Sequence, residues 1–182
     1  VPVSYHGLPC DLDEIIKIGK KYNIPIIEDN AQTMLGEYKN RYVGTQTDFS
    51  MFSLERTKHI SAHEGGLLLT NNPKFAERAR KFGGGGFKNL TADKSKMAAV
   101  IPLEFQSPDF KRHDALGLNY RISEFCAAIA LGQFEKVEKK VKIRRDIAKL
   151  YLQAFKKFPQ FEHQLVHKNY KNSYFTFVVK SP

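Results

Sequence analysis

Apolar or small residues at positions 15, 18, 19 and 22 recur at helical spacing behind Asp11-Leu-Asp-Glu14, which reads as a capping box with Asp in place of Ser or Thr. The pattern predicts a helix with one buried face, ending near Asn23 and before Pro25. Ile24-Pro-Ile-Ile27 is a short apolar run closed by Glu28-Asp29, as expected of a parallel strand covered on both faces. Phe49 to Ser53 is a second such run. It leads into the loop Leu54-Glu-Arg-Thr-Lys58, and Glu64-Gly65-Gly66 then opens a third run, Leu67 to Thr70. Strand, helix and strand with short connections predict a βαβ unit and an α/β fold with a mostly parallel sheet.

Glu37 to Val43 reads as a hairpin turning at Lys39-Asn40, because Asn tolerates a left-handed backbone. Pro73 to Lys81 is a surface helix stopped by Gly83 to Gly86, and that glycine run reads as a mobile linker. Residues 88–114, with Pro102 and Pro108, form a long polar surface excursion. Ser123 caps a long helix running to about Phe158, with Phe125, Ile129, Val137, Val141, Ile147 and Leu150 among its apolar positions. After Pro159 the character changes, and Tyr174 to Val179 is expected to be a strand that begins a new sheet. The expected organisation is a large domain over 1–122, a connecting helix over 123–158 and the start of a small domain over 159–182. Val1 to Ser4 reads as a strand already under way, so the chain is expected to be the middle of a longer protein.

Composition removes some classes of function. The 182 residues suffice for one sizeable core, and no apolar run approaches the ~20 residues of a membrane span. The two cysteines, Cys10 and Cys126, suggest neither a disulfide framework nor a zinc site, and a reducing cytoplasm is the default. A net charge of +10 permits nucleic-acid binding, but the basic residues are interleaved with acids and apolar positions over Lys136 to Lys157. A solvated basic face is the better reading, with neither nucleic acid nor membrane as partner.

The chemistry lies at the strand ends. A carboxylate (Asp29), a hydroxyl (Ser53) and an amine (Lys58), carried on adjacent strands and the loop beyond, are what pyridoxal phosphate requires. The acid keeps the pyridine nitrogen protonated, the hydroxyl meets the phosphate, and the amine forms a Schiff base. Other motifs fail. Gly83 to Gly86 has neither the GxGxxG spacing nor a following Lys-Ser or Lys-Thr. His59, His63 and Glu64 suggest HExxH, but Leu67 stands where its second histidine belongs.

Ile26-Ile-Glu-Asp29-Asn-Ala-Gln32, Phe52-Ser53-Leu-Glu-Arg-Thr-Lys58, Glu64-Gly-Gly66 and Gly117-Leu-Asn119-Tyr120-Arg121-Ile-Ser-Glu124 together resemble the nucleotide-sugar aminotransferases of the DegT/StrS type. These belong to the fold type I aspartate aminotransferase superfamily, and the resemblance covers nearly the whole chain. It implies part of a type I large domain, a long connecting helix and the start of a small α+β domain. By resemblance, Lys58 is the Schiff-base lysine and proton carrier, and Asp29 pairs with the pyridine nitrogen. Gln32 lies beside the ring hydroxyl, and Ser53 contacts the phosphate. Asn119 reaches across a homodimer to the second subunit's cofactor phosphate. The implied reaction moves an amino group, with glutamate the expected donor, to a nucleotide-linked keto-sugar. His63 and Thr33-Met34-Leu35 depart from the family's usual small residues. Two rivals stand beside this reading. One is a sugar 3-dehydratase of the same family, which carries histidine at the lysine position. The other is a non-catalytic fragment or association domain.

Overall fold

The computed structural model describes residues 1–93 and 103–182, so the part of the expected excursion at 94–102 lies outside the described residues. The chain divides into two compact units, Val1–Leu69 with Ile122–Pro182, and Thr70–Arg121.

In the first unit, helix α1 (Asp13–Tyr22) precedes strand β1 (Ile27–Asp29), which pairs in parallel with β4 (Phe49–Ser53), Asp29 facing Met51. Strand β5 (Gly66–Leu69) joins β4 antiparallel on its other side, giving the order β1-β4-β5. The parallel pair is thus as expected, but the third run reverses direction. Strands β2 (Glu37–Tyr38) and β3 (Arg41–Tyr42) form the expected hairpin, with Lys39 and Asn40 both at positive φ (49° and 62°). That is the mirror-image turn that matches strand twist.

Two expectations for α1 fail. Asp11 does not cap the helix, whose N-cap is Leu12 without a side-chain bond. The buried Tyr38 hydroxyl does that work, accepting from the Asp13 N–H (3.2 Å) and donating to Asp11 Oδ1 (2.6 Å). A tertiary partner has displaced the local cap. Nor is the helical face buried as a whole. Gly19 packs against Ile26, whereas Ile18 and Tyr22 are exposed.

The helical stretch expected over 123–158 is two helices, α3 (Glu124–Phe134) and α4 (Val137–Phe155). Ser123 caps α3, its Oγ accepting from the Cys126 N–H at 3.2 Å. Val137 and Val141 enter a core with Leu54, Ile60 and Ala62, while Phe125, Ile129, Ile147 and Leu150 are exposed. The strand expected at Tyr174 to Val179 is not formed over 174–178. Only β8 (Val179–Lys180) is extended, and it pairs with β6 (Glu162–His163). Strand β7 (Tyr170–Lys171) adds to the hairpin beside β2.

In the second unit, Asn72 caps helix α2 (Pro73–Gly83), its side chain accepting from Lys74 N and Phe75 N. The glycine run is no linker. Gly85 N donates to Leu118 O (2.8 Å) and Tyr120 N to Gly83 O (2.7 Å), so residues 83–86 pair with 114–120. Gly86 (φ +75°) lies where a Cβ would fall 1.9 Å from the Ala115 carbonyl oxygen. Only glycine permits that backbone approach.

Candidate functional site

Successive strand residues face opposite sides of a sheet, and this separates the two adjacent carboxylates. Glu28, Ser50 and Phe52 are buried on one face; Asp29, Met51 and Ser53 alternate with them and are half-exposed. Glu28 is closed in. Its Oε2 accepts from Asn30 Nδ2 (3.0 Å) and the Gly44 N–H (3.1 Å), and its Oε1 from Thr47 Oγ1 (2.7 Å). Asn30 Nδ2 also donates to Ser50 Oγ at 2.8 Å.

Asp29, Gln32 and Ser53 are each held by one atom and leave a second available. Asp29 Oδ1 accepts from the Ala31 N–H at 3.0 Å, which leaves Oδ2. Gln32 Oε1 accepts from the His6 N–H at 3.0 Å, so the amide nitrogen is the group presented. Ser53 Oγ accepts from the Glu55 N–H at 3.2 Å and keeps its own hydrogen to donate. Asp29 and Ser53 end neighbouring strands, at the carboxyl edge where open α/β sheets collect ligands.

The loop from Leu54 to Gly65 is fixed by its backbone and by burial. Leu54 N donates to Gly65 O (2.9 Å), Ala62 N to Leu54 O (2.8 Å) and Lys58 N to Glu55 O (2.9 Å). Leu54, Ile60 and Ala62 plant it on Val137 and Val141 of α4. Half-buried Lys58 extends its Nζ to 5.0 Å from the centre of the Phe175 ring. His59 turns inward instead. It is 3% exposed, its Nε2 lies 3.5 Å from Ser173 O, and burial, with Arg144 nearby, lowers its pKa to about 4.

Asn119 lies in the second unit and is exposed. Arg121 Nε donates to its Oδ1 at 2.9 Å, so it too presents the amide nitrogen. One departure from the family pattern, Thr33-Met34-Leu35, serves packing: Thr33 is fully buried with Oγ1 donating to Ser4 O (2.8 Å), and Met34 and Leu35 pack on the Leu54 core. His63 is exposed at φ +71°.

Sequence reasoning missed Phe175 and the groups that place it. Gly7 and its neighbour His6 both sit at positive φ (92° and 55°), a conformation that the sequence alone does not reveal. Among the described residues, no group of three or more His, Cys, Asp or Glu could hold a metal ion, and no helix is long and apolar enough to cross a membrane.

Residues 1–182 match the family described as DegT/DnrJ/EryC1/StrS aminotransferase. The chain belongs to that family. The fold is that of the type I pyridoxal-phosphate enzymes, and pyridoxal phosphate is the family's cofactor. The chain is 32% identical over 175 residues to a GDP-perosamine synthase of Escherichia coli O157:H7, covering 96% of this chain and 42% of that protein. Among solved structures it resembles an E. coli GDP-4-keto-6-deoxy-D-mannose-3-dehydratase with bound hydrated PLP. That match has a TM-score of 0.79 and 26% identity, and covers 97% of this chain and 45% of the other. A variant GDP-4-keto-6-deoxymannose-3-dehydratase with bound GDP-perosamine matches at TM-score 0.81 and 28% identity, covering 98% and 46%. The chain therefore spans less than half the length of these family members.

Proposed function

We propose that this chain holds the cofactor in a pyridoxal-phosphate-dependent aminotransferase that acts on a ketone of a nucleotide-linked sugar, with glutamate as donor and a homodimer as the working form. The observation that carries the reading is the set of second atoms left available at Asp29, Gln32 and Ser53. Each has the polarity the cofactor needs at that place. Asp29 Oδ2 would accept the pyridine N–H, Gln32 Nε2 would donate to the ring oxygen, and the Ser53 hydroxyl would donate to the phosphate. Asn119 Nδ2 would serve the phosphate of the second subunit's cofactor. Phe125, Ile129, Leu131 and Phe134, exposed on α3, support self-association.

When bound, the cofactor supplies an aldehyde for an amine to condense with and a ring that takes up electrons. The Lys58 amine would anchor it and, once displaced by substrate, move a proton between the substrate carbon and the cofactor's C4′. The loop anchored by Leu54, Ile60 and Ala62 fixes the backbone from which the Lys58 side chain extends for both tasks. The dehydratase reading has relatives in its favour. Against it, position 58 is lysine, and the neighbouring His59 faces Ser173 rather than the site.

The test is incubation of the full-length protein with pyridoxal phosphate, borohydride reduction and peptide mapping. A phosphopyridoxyl adduct at Lys58, absent in Lys58→Ala, is expected, together with glutamate-dependent amination of a nucleotide keto-sugar. Cofactor binding without a reducible adduct would favour the dehydratase; no binding by the full-length protein would refute both.

A further inference from the structure

Tyr174 to Val179 was expected to be a strand that begins a new sheet; residues 172–176 instead form an irregular segment that brings Phe175 to Lys58. Arg145 Nε donates to Asn172 O (2.9 Å), and Arg144 Nη1 to Phe175 O (2.8 Å) and Tyr174 O (3.3 Å). Ser173 N donates to Gly7 O at 2.9 Å, and His6 Nδ1 lies 2.6 Å from Thr176 Oγ1. Gly7 admits this packing because it has no side chain: a Cβ there would meet Tyr174 N at 2.5 Å and Phe175 N at 2.6 Å. Helix α4 and the turn at residues 6–7 thus grip the segment from two sides. What they deliver is the Phe175 ring, with Lys58 Nζ at 5.0 Å, the His59 ring at 5.7 Å and the Arg144 guanidinium at 6.0 Å from its centre.

We propose that Phe175 is a positioning residue for Lys58, its ring holding the lysine amine at one place whenever that amine is not linked to the cofactor. The inference rests on the functional reading of Lys58 for its purpose, though not for the contact itself. A lysine ends in a compact, strongly hydrated charge on four flexible carbons, and without a partner it samples many rotamers. The negative face of an aromatic ring attracts the ammonium and favours those rotamers that keep it close. Lys58 has no hydrogen-bonded or ion-paired side-chain partner among the described residues, so the ring is the feature that places its amine. An enzyme that uses one lysine both as anchor and as proton carrier gains from returning it to the same position after each release. The packing alternative is specific too. If Phe175 merely fills space, a leucine or methionine of similar bulk serves as well.

The experiment is trace acetylation of the cofactor-free, full-length protein, with the Lys58 rate read by peptide mass mapping against exposed Lys156. Release of the amine from the ring in Phe175→Leu is expected to raise Lys58 labelling about two- to fivefold, the range that a partly exposed cation–π contact allows. Phe175→Tyr, which keeps a π face, should label as the parent does. Phe175→Met replaces Phe175→Leu if the latter does not fold. Equal labelling in all variants overturns the proposal, and so does an equal rise in Phe175→Leu and Phe175→Tyr, since disturbed packing would account for it. The reducible adduct, measured on the same samples, judges the catalytic reading separately. An adduct with unchanged labelling removes Phe175 and leaves Lys58 catalytic. The labelling difference without an adduct upholds the contact and removes the function.

Discussion

Two layers of the same strands and loop carry chemically similar groups in opposite circumstances. In the inner layer Glu28 and His59 are buried and bonded to the protein around them. In the outer layer their sequence neighbours, Asp29 and Lys58, are half-exposed and keep an atom available. One position along the chain separates a group that holds the fold from one that the proposed function assigns to chemistry. The period of two decides this for the strand pair. In the loop the decision falls to the burial of Ile60 and Ala62, which fixes which side of the turn faces the core.

The sharpest way to break the comparison is to remove an inner group. Glu28→Ala would leave the Gly44 N–H and one Asn30 amide hydrogen without their acceptor, while the Thr47 hydroxyl keeps the Phe49 carbonyl oxygen at 3.0 Å. Stranded donors of this kind cost about 1–3 kcal/mol each, so a loss of about 2 kcal/mol or more is expected in denaturant unfolding. A loss below about 1 kcal/mol would show that the inner layer is not structural.

His59 sharpens the comparison through pH. Its folded pKa is lowered to about 4 from an ordinary 6.5, with burial the leading cause and Arg144 the next. Between these values the unfolded chain binds the proton more readily than the folded one does. Stability from this group is therefore fully present above about pH 6.5 and is lost as pH falls toward 4. The slope approaches about 1.4 kcal/mol per pH unit within that window, for a total on the order of 3 kcal/mol. His59→Gln should flatten the dependence in urea titrations taken from pH 7 to pH 4. An unchanged slope would place the titrating group elsewhere.

The legibility of this division in the sequence was uneven. The strand ends with Asp29, Ser53 and Lys58 were readable because apolar runs closed by polar residues mark them locally. The Lys39-Asn40 turn and the Asn72-Pro73 helix start are local as well. What failed depended on partners distant in sequence. Asp11 resembled a cap until Tyr38 took its carboxylate. Gly83 to Gly86 resembled a flexible tether because nothing nearby in sequence reveals the strand-like approach of residues 114–120. The aromatic run from Tyr174 has strand-like composition, but Arg144 draws the carbonyls of Tyr174 and Phe175 out of any ladder. Glu28 and Asp29 read as an undivided acidic pair until the register with Phe49 to Met51 assigned their faces.

The smallest expected change in stability tests the outer layer. Asp29→Asn keeps an oxygen to accept from the Ala31 N–H and leaves the half-exposed position otherwise intact. Unfolding free energy should move by about 0.5 kcal/mol or less, the range of surface substitutions away from special features. Activity should respond very differently. If Asp29 serves the pyridine nitrogen as proposed, the neutral amide would remove the charge that pairs with it, and a lost electrostatic contact at a reacting centre costs about 10²-fold or more in turnover. The adduct at Lys58 should still form, because condensation there requires the amine and not the acid. A variant that folds and carries the adduct yet transfers amino groups slowly would separate Asp29 from Glu28 by function. Equal destabilisation of Asp29→Asn and Glu28→Ala would erase the distinction between the two layers.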